Sequence, residues 1–219
     1  MLIEKKSLKS SYLKQMKEQL AIEISQSLAE DCLYVLEGFI KTELPTSIHT
    51  WLAEYEPNFK VPVSNSKQVL FSYVERCHAF VSSKIEESFQ KKSFYIEQNI
   101  LIPRMAYWIK SSFNEFCGMS EDDIVAQIKD LKIDIPVNYI NPHQYRIDGV
   151  APIPCYGWIS SVISSYYVMI KGSKKVLERV KEMMENAYVS YFQASDLPIR
   201  FKDEIYKSVL KILCTIVQI

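Results

Sequence analysis

The sequence predicts an all-α protein: an elongated antiparallel helical bundle interrupted by one irregular proline-rich segment. Three observations carry that expectation. Apolar residues recur at three- and four-residue steps over long stretches, the spacing of a single helix face. Only five of the 219 residues are glycine, too few for a fold rich in tight turns or phosphate-cradling loops. Four of the nine prolines and two of the five glycines fall within 134–157, so the backbone breakers are concentrated instead of punctuating many short strands.

The first helix is expected over 7–43. Leu13, Met16, Leu20, Ile24, Leu28, Cys32, Val35 and Phe39 form its apolar stripe, Gly38 is tolerated near its end, and Pro45 is expected to stop it. A short helix over 47–55 follows, with Pro57 and Pro62 in a loop. A second long helix runs from 65 or 66 to about 100, burying Val69, Tyr73, Cys77, Phe80, Ile85 and Phe89 and leaving Glu86, Glu87, Lys91 and Lys92 in water. Pro103 either ends it or opens the next helix, 104–116. Gly118 suits a C-terminal stop. Ser120-Glu121-Asp122-Asp123 reads as an N-cap with acids in the first turn, where the helix dipole favours them. That opens a short helix to about 131.

Ile133, Ile135 and Val137 alternate, and 145–149 has the makings of a turn. A small β-hairpin near 133–157 is therefore compatible with the pattern, but its prolines confine it to an edge pair. Helices resume at 158–170, break at Gly172, continue over 173–192, and finish over 199–217 after the turn at Asp196. The expected organisation is an N-terminal helical region 1–132, a proline-rich connection 133–157 and C-terminal helices 158–219, packed as one domain.

With 48% apolar and 12% aromatic residues, the chain can bury a sizeable core, which argues against intrinsic disorder. Twenty-six basic residues balance twenty-six acidic ones, so no global field draws it to nucleic acid. The basic run Lys5, Lys6, Lys9, Lys14 and Lys17 reads as a solvated helix face. Five dispersed cysteines without a CxxC pair suggest reduced thiols in a cytoplasmic setting. No signal-peptide pattern and no run of apolar residues long enough to span a bilayer is present.

The candidate chemistry is sparse. Glu75 and His78 have the Glu-x-x-His spacing of di-iron bundles, yet neither His49 nor His143 supplies the second copy such a site requires. Cys77 and His78 are neighbours on a helix and point about 100° apart, which disfavours a thiolate–imidazole couple. Nucleotide-loop and hydrolase motifs are absent. No catalytic residue, metal or cofactor is expected.

The most unusual helix is 158–170. Trp158, Ile159, Val162, Ile163, Tyr166, Tyr167, Met169 and Ile170 occupy one half of it, while Ser160, Ser161, Ser164 and Ser165 fill the other with Val168 and no charge. Lys171, Lys174 and Lys175 follow. Small serines let a neighbouring helix approach closely, which favours a place in the bundle core. The same pattern also describes a lipid-packing sensor with lysines at the headgroups.

Three functional readings follow. The first is a non-catalytic helical protein that binds a protein partner or its own copy, as an adaptor, assembly subunit or inhibitor. The second is a peripheral membrane protein using 158–170, and the third an enzyme with a dispersed site. His143, Tyr145 and Arg146 mark the polar segment most like a functional loop.

Overall fold

The computed structural model describes residues 2–55, 67–118, 120–129 and 173–217. Among them there is no strand, and the protein is all-α. The elements are α1 (Leu2–Gly38), a π turn (Phe39–Glu43), α2 (Leu44–Glu54), α3 (Lys67–Ile96), a second π turn (Glu97–Leu101), α4 (Ile102–Cys117), α5 (Glu121–Lys129), α6 (Ser173–Ala194) and α7 (Leu197–Ile216). The hairpin expected near 133–157 lies outside the described residues.

Pro45 does not stop the first helix. Gly38 and Leu44, on either side of the π turn, both keep right-handed helical dihedrals, and the Leu44 N–H donates to the Phe39 carbonyl five residues back. Pro45 comes next. The second π turn repeats this order: the Ile102 N–H donates to the Glu97 carbonyl, and Pro103 follows in the first turn of α4. A proline ring inside an α-helix clashes with the carbonyl four residues back and lacks an N–H to donate. A π turn widens the helix at that point and accommodates both defects. Local side chains help: the hydroxyls of Thr42, Thr46 and Ser47 donate to the carbonyls of Gly38, Thr42 and Glu43, and Asn99 Nδ2 donates to the Tyr95 carbonyl at 3.0 Å.

The chain divides into two compact units. One comprises Met1–Glu37, Lys91–Ile135 and Leu197–Ile219, and the other Gly38–Gln90 and Pro136–Asp196.

In the first unit α1 and α7 run antiparallel. Lys17 Nζ donates to the Val217 carbonyl at 3.3 Å, and Lys202 Nζ meets Glu30 at 3.2 Å near the opposite end. The buried face of α1 is lined by small residues, with Ala21, Ser25, Ala29 and Cys32 sealed alongside Ile24, Leu28 and Leu36. Ser25 satisfies its hydroxyl on the Ala21 carbonyl at 2.6 Å, so its burial leaves no donor unmatched. From α7, Phe201, Ile205, Val209 and Leu213 are buried at strict four-residue intervals. Met105, Ile109 and Phe113 of α4 and Ile124 and Ile128 of α5 complete this core. Arg104 pairs with Asp31 and Lys110 with Glu121 at 2.5 Å. Gly118 ends α4 at φ 59°, and Ser120 Oγ accepts from the Asp123 N–H at 3.2 Å as the cap of α5.

In the second unit Leu44, Ile48 and Leu52 of α2, Cys77, Val81, Ile85 and Phe89 of α3, and Met184, Tyr188 and Phe192 of α6 are buried. Phe89 lies between two rings, edge-on to Phe39 at 5.1 Å and tilted against Phe192 at 5.4 Å. Edge and offset arrangements of this kind contribute roughly 0.5–1.5 kcal/mol beyond the area they bury.

Candidate functional site

Two arrangements hold the groups most able to do chemistry or recognition. The first belongs to the second unit, where α6 engages two of the three histidines. Glu185 meets His49 Nδ1 of α2 at 3.0 Å, and one turn further Tyr188 hydrogen-bonds His78 Nδ1 of α3. The His78 and Tyr188 rings are nearly parallel, with centroids 5.8 Å apart. Tyr188 is fully buried, and burial pushes its hydroxyl pKa up, so the hydroxyl stays protonated. Burial likewise raises Tyr55, which packs on Phe80 at 5.2 Å. These groups act as polar joints between helices.

Cys32, in the core of the first unit, is pushed by burial up to about 12 and is held as an unreactive thiol. Cys32, Cys77 and Cys214 are free thiols. Among the described residues, no three His, Cys, Asp or Glu side chains gather where they could hold a metal ion. The Glu75 side chain lies outside those described, whereas His78 occupies the face that meets α6.

The second arrangement is a surface. Every large apolar side chain that is exposed among the described residues belongs to the first unit. Single exposed aromatics are ordinary, whereas grouped ones mark contact surfaces. Grouping here follows from the Glu30–Lys202 ion pair. One turn beyond Glu30 on α1 stands Tyr34, 81% exposed, and one turn before Lys202 on α7 stands Ile199, 65% exposed. Because the helices are antiparallel, both steps go the same way, so the two apolar side chains stand level. Tyr107 and Trp108 add an exposed, edge-on pair on α4, with ring centroids 6.0 Å apart. Near the end of α3, Lys92 Nζ lies 5.5 Å from the Tyr95 ring centre.

Of the residues singled out from the sequence, Trp158, Ile159, Val162, Ile163, Tyr166, Tyr167, Ile170 and Lys171 lie outside the described residues, as do His143, Tyr145 and Arg146. Lys174 and Lys175 fall in the first turn of α6. Among the described residues no helix is long and apolar enough to cross a membrane. The exposed aromatics were not legible as a site. A signal did exist at Tyr107 and Trp108: adjacent helical residues point about 100° apart, and Met105, Ile109 and Phe113 already fill the inward face.

Comparison of the chain with protein-family models, with curated proteins and with solved structures gives no match.

Proposed function

We propose that this chain is a non-catalytic, helical protein-binding protein, an adaptor, assembly subunit or inhibitor, that docks through the exposed apolar surface of its first unit. The observation that carries the reading is the level pair Tyr34 and Ile199 beside Glu30–Lys202. A large aromatic with an aliphatic neighbour, flanked by an ion pair of both signs, has the composition of an interface centre with a polar rim. His49, His78 and the buried Tyr188, the described groups most able to do chemistry, are engaged in joining α2, α3 and α6. The test is recovery of a stoichiometric complex from native extract by the wild-type chain and by Tyr34→Lys/Ile199→Lys. Loss of the complex with unchanged helix content supports the reading; equal recovery sinks it.

A second reading rests on the sequence of 158–170, whose bulky apolar half opposes an uncharged serine half ahead of Lys171, Lys174 and Lys175. It makes the chain a peripheral membrane protein. In liposome flotation Val162→Asp should then abolish binding while the helix content stays intact. Unfolding by Val162→Asp assigns the helix to the core and ends this reading.

A further inference from the structure

We draw no further inference here: the strongest candidate, the exposed apolar patch where Tyr34 of α1 stands level with Ile199 of α7, belongs to the surface already described, and nothing in the structure shows what covers it.

Discussion

Tyr188 of α6 and His78 of α3 are joined twice, by a hydrogen bond between hydroxyl and imidazole and by near-parallel rings. Removing only the hydroxyl separates the two contributions. Tyr188→Phe keeps the ring and the volume but strips a half-buried imidazole of this partner, so a loss of about 1–3 kcal/mol is expected. Tyr188→Ala also opens a cavity and should cost about 3–5 kcal/mol. Urea denaturation measures both; no loss with Tyr188→Phe would mean that the hydroxyl does not matter.

Alkaline pH should destabilise the fold through two buried groups. Burial raises Cys32 from 9.0 to about 12 and raises Tyr188 above its ordinary value of 10.0. Above those ordinary values the unfolded chain has released protons that the folded chain still holds, so stability falls as pH rises. The contribution is complete below about pH 9 and is lost progressively above it. Cys32→Ala, compared with wild type by denaturant titration from neutral to alkaline pH, should have a flatter decline; an unchanged slope counts against the burial account.

Pro45→Ala tests the π turn. Proline inside a regular helix costs about 3 kcal/mol relative to alanine, so an ill-fitting Pro45 would make this substitution strongly stabilising. Because the π turn before Pro45 already accommodates the ring, the expected gain is under about 1 kcal/mol. Thermal unfolding decides, and a gain near the full helix-interior value would show that the turn relieves nothing.

The α4–α5 corner depends on two residues of opposite character. Gly118 holds φ 59° with open space where a Cβ would stand, so Gly118→Ala should lose about 1–2 kcal/mol from backbone strain alone. Ser120→Ala removes the α5 cap and should cost about 1 kcal/mol. Amide hydrogen exchange should show the Ser120→Ala loss as faster opening of the first turn of α5; protection unchanged there would argue against the cap.

Helix type was legible in the sequence wherever an apolar stripe was long. The stripe expected over 7–43 contains the buried Ile24, Leu28, Cys32 and Phe39, and Gly118 and Ser120 occupy the stop and cap assigned to them. Two things escaped. Pro45 was read by its usual effect on an α-helix, and nothing in local periodicity announces the five-residue step from the Leu44 N–H to the Phe39 carbonyl that precedes it. Met16 lies on the apolar stripe yet is exposed, because hydrophobic spacing identifies a face without saying which part of it finds a neighbour. The exposed pair of Tyr34 and Ile199 was invisible for the same reason: it exists only once α1 and α7 are placed side by side.

The most direct measurement is quantitative recovery of complexes from native extract by the full chain, wild type against Tyr34→Lys/Ile199→Lys, with matched circular dichroism spectra. The account predicts a stoichiometric complex, with another protein or with the chain's own copy, that the substitutions abolish while both chains remain folded. A complex retained by the variant, or none recovered by either chain, would contradict it.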